Sequence, residues 1–391
     1  MVTGAVSLQT DALRRNPGID VLRGLSILLV VLHHVALRIP LKETALADFV
    51  PKRVLSALSY AGYEAVFVFF VISGFLIATH TLQRWGTLAD IDVRAFYARR
   101  AARILPCLLA LVAVLGAMHL AGIPHYVIDK PEQSLGGATL SALALYLNWY
   151  EGQTGWLPGG WDVLWSLSIE EAFYLGFPLV CLLVRNVRVL ALLLLILALS
   201  LPLTRAALAD NEIWQEKAYL PGMAAIATGV LAALLAARQP HAWLSAGARI
   251  GGAVGLLVVW LAGSELWGAI GNGYMLVLTL SSSSLILGLH WHHAGVRRAP
   301  MRGIGWLRSF GRLSYEIYLT HMFVVFGIVG LFRAAGENMR PGFWWYLPAV
   351  LLCWLLGALV ARYFSDPCDR ALRRRWLAKA DVSLSLSSRT Q

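Results

Sequence analysis

Long apolar runs recur along almost the whole chain, and they constrain its fold more than any other feature. Many extend for about 18 residues or more, enough for a helix to cross a hydrocarbon core of roughly 30 Å. The 391 residues are 58% hydrophobic and only 14% charged, which excludes an ordinary soluble domain. Because backbone polar groups must be satisfied internally in lipid, we predict an all-α membrane protein.

Ten of these runs are predicted to be transmembrane helices of one bundle: 20–39, 61–82, 103–122, 163–184, 189–209, 218–237, 248–267, 272–291, 313–333 and 344–364. An eleventh stretch near 135–150 is shorter, and we predict a re-entrant or interfacial segment there. A full crossing would move the basic blocks 297–312 and 362–389 outside. If 135–150 does not cross, 24 basic residues lie on the cytoplasmic side and 9 on the outer side, as the positive-inside rule favours. Both termini are then cytoplasmic.

The domain organisation follows from the same pattern. We expect a cytoplasmic segment at 1–19, a membrane domain at 20–368 and a basic cytoplasmic tail at 369–391 that is disordered at its serine-rich end. The formal charge of +11 fits anchoring to the bilayer rather than binding to nucleic acid. The four cysteines have no metal-ligand spacing, so neither a disulfide nor a metal site is predicted.

The first span contains RGLSILLVVLHH, from Arg23 to His34. Eleven residues correspond to three helical turns plus roughly 20°, so both side chains face one side, about 16 Å apart along the axis. Ionisable residues within spans are costly and usually functional, although an interfacial arginine and a helix-bridging histidine remain alternatives. His33 points about 100° away and is interpreted as structural.

Two further stretches carry polar residues at the membrane. Ser73 interrupts FFVISGFLI, where a small residue serves either helix packing or chemistry. Arg99, Arg100 and Arg103 lie in YARRAARILP before the third span. Guanidinium groups bind phosphate through bidentate, charge-assisted bonds, but the same arginines could simply anchor the helix.

The fourth span contains two glutamates in WSLSIEEAFY. Glu170 and Tyr174 are four residues apart and share one helix face. Because we place both Glu170 and His34 in the outer half of the membrane, Glu170 is a candidate to orient His34 or to accept its proton. A structural pair of Glu170 with a tyrosine or arginine is the alternative. Near the inner half of span nine, Glu316 and His321 in LSYEIYLTH are interpreted as polar contacts between helices.

Together these motifs resemble the acyltransferase-3 family of integral-membrane acyltransferases. The matches run in order over about residues 18–368: Arg-x10-His (Arg23, His34), FFVxSGF (Phe69–Phe75), Arg-x-x-Arg (Arg100, Arg103), WSLSxExxFY (from Trp165), SYxIYLxH (Ser314–His321) and a closing acid-Pro (Asp366-Pro367). The family commonly has an acid where this chain has Phe67; the nearest acid is Glu64, about one turn earlier, and whether it takes that place is left open. No esterase-like second domain follows, so the stand-alone form is expected.

The resemblance implies an O-acyltransferase of the bacterial cytoplasmic (inner) membrane. Its donor would be acyl-CoA, usually acetyl-CoA, and its acceptor a hydroxyl of an extracytoplasmic carbohydrate or lipid-linked glycan. A homo-oligomer is left open. In this interpretation Arg99, Arg100, Arg103 and Arg23 hold the donor phosphates, and the pantetheine arm follows the Arg23–His34 face.

The chemistry is then assigned to His34, as general base or as acyl carrier. Glu170 would fix its tautomer, and Tyr174 or Ser73 would donate to the oxyanion. Two alternatives remain: acylation of a small-molecule or lipid acceptor, and, in a different class, a glycan or solute transporter.

Overall fold

The computed structural model describes residues 15–238, 240–295 and 303–387, and these residues form helices and no strand. The α-helices are α1 Pro17–Ala36, α2 Lys52–Tyr60, α3 Gly62–Trp85, α4 Val93–Leu120, α5 Leu135–Leu143, α6 Leu147–Thr154, α7 Gly159–Asp162, α8 Trp165–Leu183, α9 Val187–Leu199, α10 Leu201–Ala206, α11 Glu212–Lys217, α12 Tyr219–Ala236, α13 Ala242–Leu261, α14 Gly263–Ile270, α15 Gly273–Gly295, α16 Gly305–Arg312, α17 Ser314–Ala334, α18 Tyr346–Val360 and α19 Asp366–Ser387. Four short 3-10 helices (Leu41–Glu43, Ala45–Asp48, Leu88–Asp90, Gly342–Trp345) and a π-helical turn (Ala361–Ser365) complete the set.

Within these residues, ten helices are long and apolar enough to cross a membrane, which confirms the predicted all-α bundle. The third begins at Val93, ten residues before the predicted start of its span. Asp92 caps it by accepting the backbone N–H of Ala95 at 3.0 Å. The arginines predicted to precede this span are therefore part of its helix.

The stretch near 135–150 does not form a spanning helix. It folds into the short helices α5 and α6, which are separated by Leu145 with a positive φ of 64°. Its re-entrant or interfacial position stays a prediction. The basic tail is helical to Ser387, although the sequence predicts disorder at its end, and residues 388–391 and 1–14 lie outside the described part.

The centre of the bundle depends on close backbone contact between α3 and α12. A Cβ atom on Gly74 would lie 1.9 Å from the carbonyl oxygen of Ile226, and one on Gly229 would lie 2.0 Å from that of Val71. Only glycine permits this approach, as in other tightly packed membrane helices. Around this pair, α1 packs against α3, α16 and α17, which places the first span inside the bundle.

Candidate active site

The two ends of the bundle are named here by residues that flank α1. The Arg15 face is the end at which α1 begins, where the Asn16 side chain caps the helix by accepting the Gly18 N–H at 2.9 Å. The Arg38 face is the opposite end, where the Arg38 guanidinium stands beside Gly159 at the start of α7. The side chains discussed below lie between these two faces.

A cavity of about 1930 Å³ extends into the bundle from the Arg15 face. Its lining begins at Arg15 and Arg373 and reaches Ser166 and Tyr318 inside the bundle. Pockets for small ligands usually measure about 300–1,000 Å³. This cavity therefore has room for a long ligand that enters from the Arg15 face.

Five side chains on the cavity wall form an arginine cluster: Arg23, Ser73, Arg100, Glu170 and Tyr174. The guanidinium carbon of Arg100 lies 3.6 Å from the centre of the Tyr174 ring, and the Tyr174 and Ser73 hydroxyls are hydrogen-bonded. Arg23 donates a hydrogen bond of 2.8 Å to the Ser314 hydroxyl. Glu170 interacts with Ser73, Arg100 and Arg23. The sequence motifs of four helices (α1, α3, α4 and α8) thus meet in one place.

Arg103 lines the same cavity but is held by an ion pair. Its guanidinium lies 2.8 Å from Glu316 and donates to the Ser365 hydroxyl at 3.0 Å, while Ser365 donates to Glu316 at 2.7 Å. The Glu316 side chain is only 1% exposed. The charge of Arg103 is therefore largely neutralised, and the residue ties α4 to α17 and to the π-helical turn.

The three arginines of the motif do not act as one group. Arg99 is not among the described residues that line the cavity, because adjacent helical residues point about 100° apart. Arg312, which belongs to none of the sequence motifs, lines the cavity and is exposed. Among the described carboxylates, none forms an ion pair with Arg312 or Arg23. Arg312 therefore carries a positive charge at the cavity wall without a direct ion pair among the described carboxylates, whereas Arg23 has Glu170 of the arginine cluster nearby.

His34 lies apart from the arginine cluster, in a histidine pair with His321. The two ring centroids are 5.0 Å apart, and the planes are tilted by 44°. Neither histidine is among the described residues that line the cavity. His33 donates through Nδ1 to the Ser59 carbonyl at 3.0 Å, and its ring packs against Gly62, in agreement with a structural role.

The structure does not support the predicted pairing of Glu170 with His34. Among the described residues no hydrogen bond joins them, and Glu170 belongs to the arginine cluster. Glu170 lies near the middle of the helical span Gly159–Leu183, and a role for it toward His34 stays a prediction. Ser73 and Tyr174 likewise lie with Arg100, so the structure does not place them beside His34 as oxyanion donors.

Tyr318 connects the cavity to the histidine pair. Its hydroxyl accepts a hydrogen bond from Ser166 at 2.7 Å and donates to the Val163 carbonyl at 2.9 Å. Its ring centroid lies 5.7 Å from that of His321. The Tyr318 ring thus forms the cavity wall next to the histidines.

A buried ion cluster lies near the Arg38 face. The Lys217 amine is 2.9 Å from Glu151 and also contacts Asp162, and it stands 4.0 Å from the Trp156 ring centre. Burial, together with the neighbouring Asp162, raises the pKa of the Glu151 carboxyl well above its ordinary value. These contacts fasten the segment between α6 and α8 to the end of α11.

The position at which a family acid is expected is apolar. Phe67 is buried, and its ring centroid lies 5.1 Å from that of Tyr63 and 5.4 Å from that of Phe70. Glu64 accepts a hydrogen bond of 3.5 Å from Tyr274 and is not among the described cavity-lining residues.

Within the described ranges, no group of three or more His, Cys, Asp or Glu side chains is arranged to hold a metal ion.

Residues 16–363 match the family described as an acyltransferase domain. The chain belongs to the acyltransferase-3 family. This confirms the resemblance drawn from the motifs, and the match extends from the cap of α1 to the π-helical turn. No solved structure was found to match the chain.

Several relatives of this acyltransferase-3 chain carry functional names. It is 28% identical to the peptidoglycan O-acetyltransferase OatA of Listeria monocytogenes over 220 residues, 53% of this chain and 29% of the relative. It is 29% identical to the O-acetyltransferase OatA of Staphylococcus aureus over 171 residues, 42% of this chain and 24% of the relative. The chain thus aligns with less than a third of the length of these relatives.

Three residues beside the cavity or the histidine pair of this acyltransferase-3 chain are not predicted as site residues from the sequence: His321, Arg312 and Tyr318. The sequence predicts His321 as a polar contact between helices, and the structure places it beside His34 on α1. His321 and Tyr318 stand in the SYxIYLxH motif, so the motif itself was a signal. Arg312 lies one helix earlier, where it could not be told from an ordinary basic anchor.

Proposed function

We propose that this chain is a membrane O-acyltransferase that transfers an acyl group, typically acetyl, from cytoplasmic acyl-CoA to a hydroxyl of an extracytoplasmic carbohydrate. The observation that carries the proposal is the cavity, which leads from the Arg15 face to the Tyr318 ring beside the histidine pair. A donor in this cavity would bring its thioester close to His34 while its nucleotide stayed at the Arg15 face.

The charges of the cavity favour an anionic donor such as acyl-CoA. Arg312 at the mouth and Arg23 deeper inside have no ion-pair partner among the described carboxylates, so both are available to phosphate oxygens. Arg103 is paired with Glu316 and is better suited to shaping the cavity, whereas Arg100 and Arg23 share Glu170 as a neighbouring carboxylate. Ser73 and Tyr174 lie on the same wall, where they would contact the donor.

The transfer itself is assigned to His34. Its neutral imidazole removes the proton from the acceptor hydroxyl, and the oxygen forms a bond to the thioester carbonyl carbon. The carbon–sulfur bond then breaks, and the imidazolium returns the proton to the sulfur, which leaves as CoA thiol. No other co-reactant is needed. An acyl-histidine intermediate would use the same residue in two steps.

The acceptor would approach from the Arg38 face, which corresponds to the outside if both termini are cytoplasmic. Trp149 in α6 and Trp156, just after that helix, are 53% and 36% exposed. Their flat rings, each with an N–H donor, suit the mixed polar and apolar surface of a sugar. The relative from Listeria is named for peptidoglycan, which supports a carbohydrate acceptor without identifying the one used here. A bacterial inner membrane fits this arrangement.

Inside-out bacterial membrane vesicles test the proposal, because they expose the cytoplasmic face to added acetyl-CoA labelled in the acetyl group. We expect covalent label on a polymer or lipid-linked sugar, and a loss of at least about 100-fold with His34→Ala at equal protein level. His33→Gln, altered at the adjacent histidine, is the matched control and should stay active. Covalent label on a small molecule or lipid would identify that acceptor class instead. Uptake of solute without covalent label would favour a transporter, and full acylation by folded His34→Ala would refute the assignment.

A further inference from the structure

The histidine pair contains a second imidazole with a defined hydrogen-bonding state. His321 is fully buried, and its Nδ1 lies 2.7 Å from the backbone carbonyl oxygen of Tyr318. A carbonyl oxygen can only accept, so Nδ1 carries the hydrogen. In the neutral ring, Nε2 is then a bare acceptor, and this tautomer is set by the backbone of α17.

The Nε2 atom of His321 is buried and has no hydrogen-bond partner among the described residues. An unsatisfied acceptor of this kind costs about 1–3 kcal/mol, so its presence needs an explanation. The described rings in contact with His321 belong to His34 and Tyr318. Because Tyr318 donates its hydroxyl hydrogen to Val163, His34 is the ring that still has an N–H to offer.

The distance between the rings is suitable for such a bond. Two imidazoles joined by an N–H···N bond of about 3 Å have centroids about 5 Å apart. The centroids of His34 and His321 are separated by 5.0 Å, although the bond itself is not formed in this structure. Catalytic hydrogen bonds are often poorly aligned without substrate and tighten in the reactive complex.

We propose that His321 is the positioning residue for His34: its Nε2 accepts the His34 N–H, which leaves the other His34 nitrogen free to act as the base. This inference rests on the proposed function. When His34 takes the hydroxyl proton, the new imidazolium keeps its bond to His321, and the proton passes on to the thiolate of the donor. His321 itself neither gains nor loses a proton.

The surroundings favour a neutral orienting group over a carboxylate. Among the described residues no carboxylate forms a hydrogen bond with His34 or His321. Glu170 is held by the arginine cluster, and Asp162 contacts Lys217. A buried carboxylate would also need a compensating charge before the reaction begins, whereas an imidazole acceptor does not.

Two amide substitutions separate this role from a merely structural one. The amide oxygen of His321→Gln lies near the position of Nε2 and can accept from His34, but it does not replace the bond to Tyr318. The amide nitrogen of His321→Asn lies near Nδ1 and can donate to Tyr318, but it offers His34 no acceptor. We expect the Gln variant to keep kcat within about 10-fold of wild type and the Asn variant to lose about 100-fold or more. The KM for acetyl-CoA should be unchanged in both.

The reverse order of activities, or equal activities in both folded variants, would overturn the inference. His34→Ala is measured in parallel: if it is active, the proposed function fails, and if it is inactive while both His321 variants are active, only this inference fails. Nitrogen-15 NMR of histidine-labelled wild-type protein gives a measurement that does not depend on the folding of a variant. A hydrogen on Nε2 of His321 would contradict the proposal, and a bare, accepting Nε2 would support it.

Discussion

The guanidinium of Arg103 and the carboxylate of Glu316 are 2.8 Å apart, although 213 positions separate them in the chain. Glu316 is buried, and Ser365 bonds to both partners. Removing one member of a buried pair leaves an uncompensated charge, which is more costly than the pair itself is stabilising. The pair therefore bears on the stability of the bundle as well as on the shape of the cavity.

Arg103→Gln is expected to destabilise the protein by about 3 kcal/mol, because Glu316 is then left without its cation. The measurement is the thermal unfolding of purified protein in detergent. The double variant Arg103→Gln, Glu316→Gln should recover part of the loss. Strictly additive effects of the two substitutions would show that the ion pair has no coupling energy.

Arg312→Ala is expected to raise the KM for acetyl-CoA about 10-fold, because the uncompensated guanidinium at the cavity mouth would lose its contact with donor phosphates. The KM for acetyl-pantetheine, which lacks the nucleotide and its phosphates, should not change. Arg188→Ala, at an exposed arginine that does not line the cavity, serves as the control. Equal effects on both donors would mean that Arg312 acts on the fold rather than on the nucleotide.

Glu151→Gln tests the buried ion cluster through pH. Because the pKa of Glu151 is raised in the folded chain, its contribution to stability is present below its unfolded pKa, about 4.3, and is lost as pH rises toward the folded value. Glutamine stays neutral at every pH. The variant should therefore gain thermal stability relative to wild type as the pH rises above about 4.

The control for that comparison is Asp129→Asn, at an exposed acid on the same side of the bundle, which should follow the wild-type profile. A constant difference between wild type and Glu151→Gln across this range would show that Glu151 titrates normally.

Gly74→Ala is expected to lower the thermal midpoint of unfolding and the yield of folded protein, because its Cβ would lie 1.9 Å from the Ile226 carbonyl oxygen. The helices α3 and α12 would have to separate, at a cost of about 1–3 kcal/mol. Gly176→Ala is the matched control, since a Cβ there has no atom within 4 Å. That substitution should stabilise α8 by up to about 1 kcal/mol. Similar effects at both glycines would argue against the close contact.

The sequence by itself determined the number of spans, the class of fold and the family. Each span is a local feature, because about 20 apolar residues suffice to cross a bilayer wherever the helix packs. The relation of Arg23 to His34 is also local, since both lie on α1 and helical geometry sets their shared face. The motifs identified the family, but they did not show which of their residues lie in contact in the folded chain.

Only the tertiary structure decided the neighbours of those residues. His321 is 287 positions from His34 and Glu316 is 213 from Arg103, so these contacts depend on how the helices pack. Glu170 shows the limit most clearly, because helix packing places it with Arg100, Ser73 and Arg23 and not beside His34. The sequence provided the reactive groups, and helix packing sorted them into an arginine cluster on the cavity wall and a histidine pair behind Tyr318.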